Sequence, residues 1–186
     1  LHEAGQAIGA GVKGADAGFN GVSTDSRSIA AGELFIALKG EHFDGHAYVK
    51  AAMRRGAVGA VVSRGGVHGR PLIQVPNTLR ALGDLAAHWR RKFPIPVVAV
   101  TGSNGKTTTK EMIATTLATR FSVLKTEGNF NNLIGLPLTL LRLRSHHQVA
   151  VLEMGMNHPG EIRRLTEIAA PEVGVVTNIG RAHLEG

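Results

Sequence analysis

The chain has 186 residues, 43% of them hydrophobic, with a formal net charge of +7 and no cysteine. That excludes a disulfide framework, a thiolate zinc site and a cysteine nucleophile, and no apolar run reaches the roughly 20 residues needed to cross a bilayer. A soluble protein of one or two domains in a reducing cytoplasm is expected. The basic residues are scattered and aromatics make up only 4%, too few for a stacking platform, so the charge points to small anionic substrates rather than to nucleic acid.

Residues 1 to 79 read as a small α/β domain. Gly21 to Thr24 suits a short strand, and Leu34 to Leu38 is an apolar run closed by Lys39-Gly40. A helix is expected from about Ala47 to Arg55, then strands over Val58 to Val62 and Leu72 to Val75, parted by the glycine-rich stretch 65 to 69. Two polar loops stand out. Thr24-Asp25-Ser26-Arg27 gathers hydroxyls, a carboxylate and a guanidinium behind a strand, which suits a phosphorylated ligand. It equally suits a turn that bonds its own backbone. His42 and His46 have the i, i+4 spacing of a metal pair, but Gly45 between them argues against the helix that such a pair needs.

From residue 80 onward the pattern changes. Leu79, Leu82, Leu85, Ala86 and Trp89 mark one face of an amphipathic helix over Thr78 to Lys92, with Trp89 read as core. Arg90-Arg91-Lys92 is placed to oppose the dipole at its C-terminus. Pro94-Ile95-Pro96 then resets the chain.

Val97 to Val100 is a short apolar run suited to a strand buried on both faces. Thr101-Gly102-Ser103-Asn104-Gly105 is a turn whose two glycines let backbone amides approach a ligand. A helix opens at Lys106, with Met112, Ile113 and Leu117 at helical spacing. A helix N-terminus attracts phosphate; Lys106 adds a charge for the β- and γ-phosphates, and the Thr107 hydroxyl is placed for magnesium. Val100 occupies the position where the usual phosphate loop has its first glycine, so this is the shorter Gly-x-x-Gly-Lys-Thr form. The stretch is read as a nucleoside triphosphate site.

Further strands are expected over Phe121 to Lys125, Val149 to Leu152 and Val173 to Thr177, with helices over Leu138 to Leu143 and about Pro159 to Ala169. The loop Thr126 to Pro137, with Asn129, Asn131 and Asn132, is too polar for core. It reads either as a ligand loop or as a long turn ending in a helix cap. Glu153 stands at the carboxyl end of its strand, where open α/β sheets bind ligands, and a carboxylate beside a triphosphate suits magnesium. His183 lies at another strand end, either as a surface histidine or as a site residue. Alternating strands and helices from 97 to 177 indicate a parallel sheet.

Together Thr101 to Met112, Gly128-Asn-Phe-Asn-Asn-Leu-Ile-Gly-Leu-Pro-Leu-Thr-Leu-Leu, Glu153-Met-Gly and Asn178-Ile-Gly-Arg-Ala-His-Leu-Glu resemble the Mur ligase family of peptidoglycan synthesis. Thr24-Asp-Ser-Arg and Leu38-Lys-Gly-Glu-His-Phe-Asp-Gly-His are similar to that family's UDP-binding domain. The Asn129-x-Asn131-Asn132 loop joined to Pro137-Leu-Thr-Leu-Leu points to the branch that adds D-alanyl-D-alanine to UDP-N-acetylmuramoyl-tripeptide.

The resemblance implies an α/β protein: a UDP-substrate-binding domain over 1–79, then part of a mostly parallel P-loop-type ATP-binding sheet flanked by helices over 80–186. It also implies an ATP- and magnesium-dependent amide ligase working through an acyl phosphate. Lys106 and His183 would be catalytic, and Gly102 to Thr108 (Gly102, Ser103, Asn104, Gly105, Lys106, Thr107, Thr108) would hold the nucleotide. Thr107, Glu153 and His183 would hold metal. The UDP-peptide would meet Thr24, Asp25, Ser26, Arg27, Lys39, Gly40, Phe43, Asp44, His46, Asn129, Asn131 and Asn132. Members of the family continue beyond a chain of this length, so an amino-terminal fragment, inactive alone, is expected; a monomer is the expected state. Another ligase of the superfamily (MurE-like or folylpolyglutamate synthetase-like), a P-loop kinase and a non-catalytic nucleotide-binding module stay open as alternatives.

Overall fold

The computed structural model describes residues 1–67, 69 and 71–180. It divides into two compact units, Leu1–Leu85 and Ala86–Gly186, with the division falling inside one long helix, α3 (Thr78–Arg90).

The first unit opens with helix α1 (His2–Ala7) and strand β1 (Val12–Lys13), followed by β2 (Gly21–Ser23), β3 (Glu33–Ile36), helix α2 (Val49–Arg54), β4 (Gly59–Val62) and β5 (Leu72–Gln74). They form a five-stranded sheet in the order β1-β5-β4-β3-β2. Only β1 runs antiparallel, against β5; the remaining neighbours are parallel. All of β4 is buried, as expected of a parallel strand covered on both faces. The helix expected from Ala47 divides in two. The Asp44 side chain accepts the His46 N–H and starts a 3₁₀ turn over Gly45–Tyr48, after which α2 takes over.

The second unit contains β6 (Val97–Thr101), helix α4 (Lys106–Ala118), β7 (Val123–Lys125), helix α5 (Gly135–Leu140), β8 (Val149–Glu153), helix α6 (Glu161–Ala169) and β9 (Val173–Val176). Its four parallel strands take the order β7-β8-β6-β9. All five residues of β8 are buried. The register sets Val100 beside Glu153 and Thr101 beside Val176, so the strand ends that carry the polar motifs lie side by side.

Three expectations are corrected by packing. Met112 does not join a buried face: it is 66% exposed, and α4 buries Lys110 and Ala114 instead, with Ile113 and Leu117 half-buried against Val100 and Val151. Leu79 likewise lies at the surface end of the α3 stripe, while Leu82, Leu85 and Ala86 are buried. Phe121 is exposed and precedes β7. Trp89 packs on the core of the second unit, its indole N–H donating to Leu143 O at 3.2 Å and its ring edge-on to Phe93 at 5.3 Å. Arg90 does more than oppose a helix dipole. It is buried and donates to the carbonyls of Phe93 (2.6 Å), Ile95 (3.0 Å) and Ala169 (3.1 Å), closing the loop that leads into β6.

Candidate functional site

The turn from β6 into α4 is shaped by Gly102, whose φ is 136°, a conformation that L side chains rarely adopt. A Cβ there would also run into Thr177 Oγ1 and the Asn178 backbone. The close approach lets the residues after β9 hold the loop. Ser103 N donates to Asn178 O at 3.2 Å, and Asn104 N to Asn178 Oδ1 at 2.9 Å. Thr177 Oγ1 donates to Asn104 O at 2.6 Å, and Ser103 Oγ and the Gly180 backbone bond each other in both directions. The amides of Ser103 and Asn104 are thus engaged. Those of Lys106, Thr107 and Thr108 form the first turn of α4, where no intrahelical acceptor exists, and no side chain caps that turn.

Gly102→Ala should therefore lower the stability of the chain by about 1–3 kcal/mol, the usual cost of a strained backbone, and weaken nucleotide binding. Gly65→Ala, where a Cβ meets open space, serves as the control. Equal urea midpoints for the two variants would contradict this account of the loop.

Lys106 Nζ curls back onto Gly102 O at 2.6 Å and Ser103 O at 3.3 Å. It rests over the loop on two carbonyl acceptors, and an anion at the helix terminus would offer it a stronger partner. Thr107 and Thr108 are exposed. On the neighbouring strand, Glu153 is only 2% exposed. Its Oε1 accepts from Asn131 Nδ2 at 2.8 Å, its N–H donates to Thr126 Oγ1 at 2.9 Å, and its Oε2 is buried with no hydrogen-bond partner among the described residues.

A buried carboxylate oxygen left without a donor is costly, and a hard divalent cation is the partner that such an oxygen suits. Glu153 Oε2 and the Thr107 hydroxyl are both oxygen donors of the kind that magnesium takes. Among the described residues no cluster of three or more acidic, histidine or cysteine side chains could hold a metal unaided. His183, expected as a further ligand, lies outside the described residues.

The cavity at this end of the sheet measures about 530 Å³. Gly102, Ser103 and Lys106 form one side, and Met156, Asn157 and His158, in the loop after β8, form another. That loop was not singled out from the sequence, in which only Glu153-Met-Gly drew attention. The asparagine loop divides its side chains between a helix start and the strand beside it. Asn132 Oδ1 accepts the N–H groups of Ile134 and Gly135 and starts α5, whereas Asn131 turns its amide to Glu153. Asn129 is exposed.

In the first unit a cavity of about 390 Å³ is lined by Thr24, Asp25, Ser26, Arg27, Phe43 and Tyr48, among others. Asp25 accepts from both the Arg27 N–H (2.8 Å) and its guanidinium (2.7 Å). These bonds pull the Asp25 carboxyl down to about 2, so the pair stays charged at neutral pH. Phe43 and Tyr48 are half exposed. Lys39, Gly40, Asp44 and His46 are not among its lining residues. His46 is buried: Nδ1 faces Asp44 and Nε2 accepts Ser63 N–H at 2.8 Å, so it ties the loop to the end of β4. Asp44, bonded by the His46 backbone N–H and ring and close to Arg64, is held below the usual carboxylate range. Tyr48 carried no signal in the sequence beyond being aromatic.

Comparison with known proteins identifies the family. The model of the Mur ligase middle domain matches residues 100–186, and that of the Mur ligase family catalytic domain matches residues 18–90. The UDP-N-acetylmuramoyl-tripeptide–D-alanyl-D-alanine ligase of Synechocystis sp. is 46% identical over 173 residues, covering 91% of this chain and 38% of that relative. The crystal structure of MurF from Acinetobacter baumannii superposes with a TM-score of 0.93 at 40% identity, over 98% of this chain and 41% of that one. MurF ligase from Thermotoga maritima in complex with ADP gives a TM-score of 0.83 at 40% identity, over 89% of this chain and 39% of that one. This chain spans about two fifths of the length of these relatives. On the two domain models that together match residues 18–90 and 100–186, the chain belongs to the Mur ligase family.

Proposed function

We propose that this chain is the substrate- and nucleotide-binding part of an ATP-dependent amide ligase that joins D-alanyl-D-alanine to UDP-N-acetylmuramoyl-tripeptide in the cytoplasm. The observation that carries the reading is the pairing, on adjacent strand ends, of an uncapped helix N-terminus bearing Lys106 with the unpartnered Oε2 of Glu153. One attracts a triphosphate and the other a divalent cation. The activity for which the relatives are named supplies the substrates.

On this reading the first-turn amides of α4 and Lys106 hold the β- and γ-phosphates of ATP. The terminal carboxylate of the tripeptide attacks the γ-phosphorus, giving an acyl phosphate and ADP. The free amine of the dipeptide then adds to the acyl carbon, and phosphate leaves as the amide forms. No protein nucleophile is required, so the chain works by positioning and by stabilising charge. Glu153 and Thr107 would hold magnesium, which when bound neutralises charge that develops on the phosphoryl oxygens. Thr24 to Arg27 would take the diphosphate of the UDP moiety, with Phe43 and Tyr48 offering faces to its base. Lys39, Gly40, Asp44 and His46 would shape the same loop from behind, and Asn129 would face the muramoyl peptide. His183 is retained in the proposal as a second site for metal. A monomer is proposed, and no helix among the described residues is long and apolar enough to cross a membrane.

The test is ATP-dependent phosphate release by the full-length protein with UDP-N-acetylmuramoyl-tripeptide, with and without D-alanyl-D-alanine. Release that requires both substrates, together with the amide product, is expected. Release without the UDP-peptide would point to a kinase or a nucleotide-hydrolysing switch and overturn the reading.

A further inference from the structure

The nucleotide-binding pattern makes no use of the buried lysine of α4, which is the most enclosed lysine or arginine among the described residues. Lys110 is 1% exposed. Its Nζ donates to Thr126 O at 2.8 Å and pairs with Glu111 Oε1 at 2.7 Å. Glu111 is itself partly exposed and also pairs with Lys125. Lys110 first, then Lys125, holds the Glu111 carboxyl below its ordinary range. That pair does not explain the burial, because Glu111 has a surface partner in Lys125. A methionine at 110 would fill the same space without the desolvation penalty of an enclosed ammonium.

What the buried charge reaches is Thr126, which is fully enclosed. The Thr126 carbonyl takes Lys110, its N–H donates to Val151 O at 3.1 Å, and its hydroxyl oxygen accepts the N–H of Glu153. Five positions on, Asn131 donates to Glu153 Oε1, and its carbonyl accepts Gly155 N at 2.8 Å. A Cβ on Gly155 would press on the Asn131 side chain. The segment from Thr126 to Asn131 is therefore stitched to the end of β8 on both sides of Glu153, and Lys110 is the bond from α4 to that segment. With Oε1 held by Asn131 and Oε2 buried without a hydrogen-bond partner among the described residues, the carboxylate has one oxygen left for a further partner.

We propose that Lys110 is a positioning residue, which couples the phosphate-binding helix through Thr126 to Glu153 and sets the aim of Oε2 toward a divalent cation. The inference rests on the ligase reading of the site. Lys110 touches neither nucleotide nor metal; it acts one residue removed, as the groups behind metal ligands commonly do.

The experiment uses the full-length protein loaded with ADP and titrated with manganous ion, bound metal being read by electron paramagnetic resonance. Lys110→Met should weaken manganese binding about tenfold or more, the usual effect of removing an outer partner, while ADP affinity measured in chelator stays close to that of the parent. Lys110→Arg, which restores a cationic donor, should recover much of the loss. Manganese affinity in Lys110→Met equal to the parent's would overturn the proposal. If Lys110→Met fails to fold, Thr126→Val removes only the hydroxyl from the same relay, and unchanged manganese binding there overturns it equally. Glu153→Gln separates the two levels. Loss of manganese in that variant with retention in Lys110→Met sinks this inference alone, whereas retention in Glu153→Gln sinks the proposed metal site and this inference with it.

Discussion

Lys106→Ala in the full-length protein is expected to lower ATP-dependent phosphate release by about 10³-fold, in line with the loss of one preorganised charge at a transferring group. The expectation has a structural basis beyond the motif. Lys106 sets its ammonium over the loop carbonyls of Gly102 and Ser103, at the mouth of a helix whose first turn has no side-chain cap. Removing it deletes a full charge from the side of the site where negative charge gathers during phosphoryl transfer. The helix and its dipole stay in place, so ADP should bind more weakly but still measurably, and most of the loss should fall on kcat. Turnover within a few-fold of the parent would show that Lys106 only holds its own loop. Lys106→Arg is a useful companion, because the wider, planar guanidinium keeps the charge but does not reproduce a compact ammonium.

How much of this site was legible in the sequence differs from residue to residue. β4 and β8 were readable because a parallel strand covered on both faces becomes a short unbroken apolar run. The β6 turn was readable because two glycines, a lysine and a threonine have few other reasons to stand together before a helix. Glu153 was readable from its place after Val149 to Leu152.

Lys110 was not readable. On a helix with almost no apolar stripe, nothing in spacing distinguishes a lysine that turns inward from one in solvent, and Met112, at helical spacing with Ile113 and Leu117, lies exposed. Asn178 was quoted only as part of a motif, yet it takes up the amides of Ser103 and Asn104, a bond between strand ends 74 positions apart. Asn131 and Asn132 are neighbours with opposite tasks, one set against a carboxylate and one capping a helix, and a single polar loop could not be divided between them without coordinates. α1 and β1 escaped because a six-residue helix and a two-residue strand are too short for periodicity to register.

Glu153→Gln should separate stability from function. The substitution keeps an oxygen for Asn131 Nδ2 and the same volume inside β8, and replaces a buried carboxylate with an unpartnered oxygen by a neutral amide. An unsatisfied buried charged group costs more than an unsatisfied neutral one, so in chelator the variant should unfold at higher urea, with a gain of about 1 kcal/mol. Phosphate release by the full-length protein should fall by about 10²-fold or more, because the oxygen proposed to hold magnesium is gone. The order of stability should then reverse when magnesium and ADP are added in excess: a ligand that binds only the folded parent raises its stability by RT ln(1 + [L]/Kd), and the variant gains little from the metal. A parent more stable than Glu153→Gln in chelator, or a variant that keeps full turnover, would mean that Oε2 has a partner within the fold and that the buried carboxylate belongs to the core of the sheet.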